Sequence, residues 1–264
     1  MIVGSQARTD VPADEWSDLD VVIFHSDPAR LITSTDWFQS FGAVVLSMVE
    51  VTAVGGSRER RVLYSGGRDV DFSIFPSAAM PFLTSIPEGV NVLSRGFVVL
   101  VDKDHALDTL PRVAATPVRE PIGPYTEEAF LADVSDFDYH VLWFAKKLRR
   151  GETWIAKLGC DGYLKQLLRR MIERYTLLTG EVDVWHDGRF LDRWAPPEVR
   201  ASLPATFARY EPKDIARALR ETGLLYARLA RQIAERRGWG YPAEAETTVW
   251  ELVDRTLAGL PTTG

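Results

Sequence analysis

The chain has 264 residues and a single cysteine, Cys160, which excludes an intramolecular disulfide and reads as a small buried hydrophobe. No apolar run approaches the roughly eighteen residues that a membrane-spanning helix needs. The N-terminus also lacks a basic segment followed by an apolar one, so no membrane span and no signal peptide are expected, and a cytoplasmic location follows. Histidine is scarce. His25, His105, His140 and His186 are scattered without metal-ligand spacing and read as structural or exposed side chains. A basic surplus is missing too: 31 Lys and Arg stand against 37 Asp and Glu, a net charge of −6. That balance argues against a nucleic-acid polymerase, which carries a basic track for the phosphate backbone, and permits a cationic small substrate. Repeats and low-complexity segments are likewise absent.

What remains is an ordinary soluble composition, 46% hydrophobic and 26% charged, long enough for one large domain or two small ones. From Thr109 to Pro124 the chain carries Pro111, Pro117, Pro121 and Pro124 with no hydrophobic period, the composition of a linker. The boundary therefore falls near 120, giving domains 1–120 and 121–264. The first reads as sheet with hairpin punctuation: strands at Asp18 to Phe24, Ala43 to Val54, Arg60 to Ser65 and around Asp71, with a helical region over 28–41. Arg95 to Asp102, almost wholly apolar, reads as a further strand that is central or covered on both faces. The second domain reads as all helix, so the fold class is α+β.

Two short patterns suggest chemistry. Asp18 and Asp20 lie two apart at the start of a strand, so they share a face, with Leu19 and Val21 on the other. Carboxylates that close repel unless a cation joins them, and oxygen-only ligands without nearby His or Cys suit Mg²⁺. Upstream, Gly4 and Ser5 end a short strand and open a turn where backbone N–H groups and a hydroxyl can meet phosphates. A third acid is wanted for two-metal transfer of a phosphoryl or nucleotidyl group, and Asp71, on the strand continued by Phe72 and Ile74, supplies it. It would hold a metal or take the proton from an attacking hydroxyl. The plain alternative is that these are loop or strand-edge acids.

In the helical half, Thr126-Glu127-Glu128 is a helix start, and Phe130, Val134, Phe137, Val141, Phe144 and Leu148 follow as an apolar stripe. A second face of the same helix carries Asp136, Tyr139, Trp143 and Lys146. It reads either as solvated or as acid and aromatics suited to a polar sugar or polyamine. Further helices are expected at 161–179, 196–210, 214–237 and 244–258, with Asp183 to Trp194 as a loop.

Gly-Ser, Asp-x-Asp and a later strand aspartate together resemble the nucleotidyltransferase superfamily that includes DNA polymerase beta and the aminoglycoside adenylyltransferases. Across nearly the whole chain the order of pieces is similar to the aminoglycoside 6-adenylyltransferase (streptomycin adenylyltransferase) family. The resemblance rests on Gly4-Ser5 with Pro12, Asp14-Glu15, Asp18 and Asp20; Trp37-Phe38, Phe41-Gly42 and Val70-Asp71-Phe72; Asp102-Lys103-Asp104 and Phe137. It continues through Ala145-Lys146, Leu148, Arg150, Glu152, Ala156-Lys157, Met171-Ile172-Glu173 and Gly240-Tyr241-Pro242. It implies a DNA polymerase beta-like mixed sheet with helices, then a substrate-binding helical bundle. It also implies that ATP is split at its α-phosphate, AMP passes to a hydroxyl of an aminoglycoside, and pyrophosphate leaves.

On that resemblance Asp18 and Asp20 hold two Mg²⁺, Asp71 holds one of them and helps deprotonate the acceptor, and Gly4 and Ser5 bind the phosphates. Lys146, Lys157 and Lys165 counter the triphosphate, unless each is simply a solvated lysine. The cationic acceptor is met by Asp136 with Tyr139 and Trp143, with Asp133 or Asp138 in reserve. Two departures stand out. Only Met1, Ile2 and Val3 precede Gly4, so either the first strand is a stub or the sequence begins downstream of the true start. Asp136-Phe137-Asp138-Tyr139 stands where that family tends to have a glutamate and aromatics. Other readings are a nucleotidyltransferase acting on another small-molecule or protein hydroxyl, and a degenerate nucleotide-binding module.

Overall fold

The computed structural model describes residues 1–8, 11–52, 55–83, 85–103, 105, 125–180, 182–184, 187–258 and 260. They belong to two compact units, Met1–Val118 and Arg119–Gly264, each with its own hydrophobic core. The expected linker from Thr109 to Pro124 lies outside the described residues, as do Asp104, Trp185 and His186.

The first unit is built on five strands: β1 (Ile2–Val3), β2 (Leu19–His25), β3 (Val44–Val51), β4 (Arg58–Tyr64) and β5 (Arg68–Pro76), in the order β1-β2-β5-β4-β3. β2 runs parallel to β5, and the other pairings are antiparallel. A parallel pair needs a crossover. Here it contains α1 (Pro28–Thr33), α2 (Asp36–Gln39) and the β3–β4 hairpin. Asp27 caps α1 by accepting from Arg30 N–H at 3.2 Å, and Pro28 supplies a preset first turn.

The period of two then sorts the sheet into two chemistries. Val21 and Ile23 of β2, Phe72 and Ile74 of β5, and Val62 and Tyr64 of β4 pack with Phe38 of α2, which is 1% exposed. Trp37 sits edge-on to Phe72, ring centroids 4.9 Å apart, and Tyr64 O–H donates to the Phe38 carbonyl at 2.8 Å. Residues of opposite parity, Asp20, Asp71, Ser73, Glu59 and Arg61, are left on the other face.

Two expectations for this unit are corrected. The helical region over 28–41 is two short helices separated by Ser34 and Thr35, because Ser34 takes an extended conformation that ends α1. Residues 95–102 form no central strand. Val98 makes a single bridge to Ile2, since β1 is only two residues long, and Leu100 and Val101 are 59% and 66% exposed. Gly96 takes φ +126°, and a Cβ there would lie 2.4 Å from the Ala7 carbonyl oxygen, so the run leaves strand geometry where it starts. α3 (Met80–Leu83) and α4 (Pro87–Ser94) precede it, neither signalled by the periodicity.

The second unit is helical: α5 (Glu127–Arg149), α6 (Thr153–Leu158), α7 (Leu164–Thr179), α8 (Leu191–Trp194), α9 (Pro197–Thr206), α10 (Pro212–Arg237) and α11 (Ala243–Ala258). Thr126 Oγ1 accepts from Ala129 N–H at 3.3 Å and caps α5. The whole expected stripe of α5, Phe130 through Leu148, is buried. Phe137 stacks on Tyr226 of α10 with ring centroids 3.8 Å apart, and Tyr226 O–H donates to the Asp133 carbonyl at 2.9 Å. α7 opens three residues later than expected, because Gly159–Tyr163 forms a π-helical turn joining α6 to α7. Cys160 in that turn is fully buried, and burial pushes its thiol up to about 12. Among the described residues no helix is long and apolar enough to cross a membrane.

Candidate active site

Asp20 and Asp71 are register partners across the parallel β2–β5 pair, and Asp18 lies one residue before β2. One carboxylate oxygen from each of the three lies within 4.8 Å of the others. Burial, with Glu59, Asp18 and Asp69 nearby, pushes the Asp71 carboxyl up to about 6, against the opposing pull of Arg61. Three partly buried acids at this spacing cannot all be ionised cheaply unless a cation joins them, and their all-oxygen donor set fits Mg²⁺.

Gly4 lies against this cluster, with Ser5 next to it in the chain. Residues Gly4–Gln6 form a 3-10 turn directly after β1, and β1 pairs with β2 so that Val3 faces Asp20. Gly4 has φ +68°, and a Cβ there would fall 2.0 Å from Asp20 Oδ2. Only glycine lets the backbone pass this close to that carboxylate. Ser5 Oγ is buried and, among the described residues, has no hydrogen-bond partner. A buried hydroxyl without a partner is uncommon.

The structure adds two residues that the sequence pattern did not flag. Arg61 of β4 is the cross-strand partner of Asp71 and lies 3.4 Å from its Oδ2. Glu59, on the same face of β4, receives the Arg61 guanidinium at 2.8 Å and is almost fully buried. Their only signal is parity: Glu59 and Arg61 are two apart in Arg58-Glu59-Arg60-Arg61, where the expected strand begins. Arg60 between them points the other way, donates to the Ile32 carbonyl and to Ser47 Oγ, and lies over the Phe38 ring.

In the helical unit Asp136 is half-buried and held by two donors. Tyr163 O–H reaches Asp136 at 2.8 Å, and His140 Nδ1, one turn along α5, lies 2.7 Å from Asp136 Oδ1. Tyr139 is 66% exposed beside them, edge-on to the His140 ring at 5.2 Å, and Trp143 lies under the Lys147 ammonium at 4.9 Å. His140 and Tyr163 are the members that periodicity missed. Of the reserve acids, Asp133 accepts from Tyr125 O–H at 3.0 Å and pairs with Arg170 at 3.4 Å, so it is structural. Asp138 is buried near Glu246 and Arg231; burial, then Glu246, push it up to about 7.

The three lysines have different situations. Lys146 is exposed on α5. Lys157 pairs with Asp161 of the π turn. Lys165 is 10% exposed, donates to the Cys160 carbonyl at 2.8 Å and to Thr222 Oγ1 at 2.9 Å, and burial lowers its pKa. Its ammonium tethers the π turn to α10.

Residues 1–256 match the model of the family described as streptomycin adenylyltransferase. The chain belongs to that family. This streptomycin adenylyltransferase family member is accordingly a nucleotidyltransferase, and its aspartate triad and Gly4-Ser5 turn lie within the matched residues. A solved aminoglycoside 6-adenyltransferase from Bacillus subtilis is similar in fold: TM-score 0.50 at 14% identity, covering 92% of this chain and 89% of that one. No curated protein matches the chain.

Proposed function

We propose that this family member transfers AMP from ATP to a hydroxyl of an aminoglycoside, releasing pyrophosphate, with Asp18, Asp20 and Asp71 holding two Mg²⁺ ions. The observation that carries the reading is the meeting of three aspartate oxygens within 4.8 Å beside a glycine that admits nothing larger and a buried serine hydroxyl without a partner among the described residues. When bound, the Mg²⁺ ions neutralise charge on the triphosphate and on the attacking and leaving oxygens.

The chain's own groups do the rest. Ser5 Oγ and the N–H groups of its turn receive phosphate oxygens. Asp71 accepts the proton of the acceptor hydroxyl; that oxygen bonds to the α-phosphorus as the bond to the bridging oxygen breaks, and pyrophosphate departs with the electron pair. The first unit is on this reading the nucleotidyltransferase domain and the second the acceptor-binding domain, with the division near residue 120. Asp136, held by His140 and Tyr163, receives an ammonium or guanidinium group, and Tyr139 and Trp143 offer ring surface to the sugar. Lys146 is the exposed lysine available to the triphosphate, whereas Lys157 would first have to leave Asp161. The partners are thus ATP and a cationic small molecule, with no nucleic acid and no membrane, in the cytoplasm.

The direct test is pyrophosphate release from Mg²⁺ and ATP in the presence of streptomycin, with mass spectrometry of the acceptor for an added AMP. Turnover that disappears in Asp20→Asn supports the proposal. Turnover of ATP with no member of an aminoglycoside panel modified would move the acceptor to another hydroxyl compound.

A further inference from the structure

The acidic face of the sheet contains a closed side-chain ring that the proposed chemistry has not used. Glu50 of β3 and Glu59 of β4 are register partners, so two carboxylates face each other directly across the strands, an unfavourable placement by itself. Arg61 resolves it. Its Nε and Nη2 both reach Glu59 Oε1 at 2.8 Å, and its Nε also lies 3.5 Å from Glu50 Oε2 and 3.4 Å from Asp71 Oδ2. Glu59 is fixed from its other oxygen, where Ser73 Oγ donates to Oε2 at 3.3 Å. Ser73 lies two residues after Asp71 on the same face of β5 and is the register partner of Glu59. The ring runs Asp71, Arg61, Glu59, Ser73 and back along β5 to Asp71.

Anchoring of this kind has a purpose only if the anchored group has a task. Glu59 is 7% exposed, and a buried carboxylate needs its compensating donors, yet the arginine that serves it is itself 44% exposed and leans toward Asp71. Besides neutralising Glu59, Arg61 stands opposite Asp71 in the strand register and is attracted to that carboxylate of the aspartate cluster. There its charge opposes that of an incoming cation. The contact does restrict Asp71, since one of its two oxygens, Oδ2, lies 3.4 Å from a guanidinium that Glu59 holds.

We infer that Arg61, clamped by Glu59 and Ser73, is a positioning residue that fixes the orientation of the Asp71 carboxylate for catalysis at the expense of divalent-cation affinity. The inference rests on the reading of Asp18, Asp20 and Asp71 as metal ligands. It makes two effects of opposite sign. Removing the Arg61 charge lets a divalent cation bind more tightly, while the freed Asp71 carboxylate turns over more slowly. A residue that merely supports the sheet would not separate the two.

The experiment titrates Mn²⁺ by electron paramagnetic resonance into the full chain with α,β-methylene-ATP, and measures kcat and the KM for ATP with Mg²⁺. In Arg61→Met the Mn²⁺ dissociation constant should fall roughly threefold to tenfold, while kcat falls about 10–100-fold with little change in the KM for ATP. Arg61→Lys, which keeps the charge but not the planar fork, should restore the wild-type Mn²⁺ affinity and only part of kcat. Glu59→Gln should lower kcat as well, because Arg61 loses its anchor. Unchanged or weaker Mn²⁺ binding in Arg61→Met, or kcat that falls only in step with loss of folded protein by circular dichroism, would overturn the inference. If the wild type fails to bind Mn²⁺, or binds it unaffected by Asp20→Asn, the metal-site reading itself fails and takes this one with it.

Discussion

The two units handle charge differently. In the helical unit several partly or wholly buried acids are given donors: Glu173 meets Arg169, Glu246 meets Arg231, Asp161 meets Lys157, and Asp136 meets Tyr163 and His140. In the sheet unit Glu59 is likewise given Arg61 and Ser73, but three aspartate oxygens are gathered within 4.8 Å, and the Ser5 hydroxyl nearby has no partner among the described residues. Folding alone favours the first arrangement. On the proposed reading a ligand completes the electrostatics of the second, so that local disagreement with the rules of stability would mark the reactive face.

The contrast can be broken most severely at its centre. Asp20→Asn should lower turnover by about a thousandfold or more, and it should abolish the rise in melting temperature that Mg²⁺ with ATP gives the wild type. That rise should correspond to about 2.7 kcal/mol at a hundred times the dissociation constant. A mutant stabilised by Mg²⁺ and ATP as much as the wild type would place the metal elsewhere.

Gly4→Ala attacks the same face sterically. With φ +68° and the new Cβ 2.0 Å from Asp20 Oδ2, it should cost about 1–3 kcal/mol, read from the urea midpoint, and should lower activity by displacing Asp20.

Asp138 sharpens the comparison from the helical side, as a buried acid whose neighbours include another acid. Its folded carboxyl titrates at about 7, above the usual unfolded value near 3.9. Between those values the folded chain holds the extra proton, so stability should decline as pH rises from about 4 through 7, by on the order of 4 kcal/mol. Asp138→Asn should flatten that slope in thermal melts taken across the range. An undiminished slope would assign it to other groups.

The mildest change is Tyr163→Phe, which removes one donor from Asp136. The KM for the acceptor should rise about tenfold, in line with one hydrogen bond to a charged group. kcat and the KM for ATP should stay near their wild-type values; an equal effect on the KM for ATP would detach Asp136 from the acceptor.

The asymmetry also governs what could be read from sequence. Asp18, Asp20 and Asp71 were legible because strand parity is a rigid rule and because Phe72 and Ile74 announce the strand. The stripe of α5 was legible for the same reason at a period of 3.6. Arg61 and Glu59 were hidden, since in Arg58-Glu59-Arg60-Arg61 the charges look alike although Arg60 serves the covered face and its neighbours the other. Tyr163 was hidden because it is 27 residues from Asp136 and reaches it through a π turn, which has no simple hydropathy signature. Residues 95–102 misled by composition. Their apolar run met only a two-residue strand to pair with, and Gly96 turned it aside.

The π turn at Gly159–Tyr163 is also a phase shifter between two lengths of helix. A turn of this kind accommodates one residue more than an α-helical turn, so everything after it is rotated by about 100° relative to an uninterrupted helix. Deleting Gly162 alone would let α6 and α7 fuse in step and swing either Tyr163 or the buried face of α7 out of place. The tyrosine that steadies Asp136 thus owes its position to a one-residue insertion, and the contact can be gained or lost in a single genetic step.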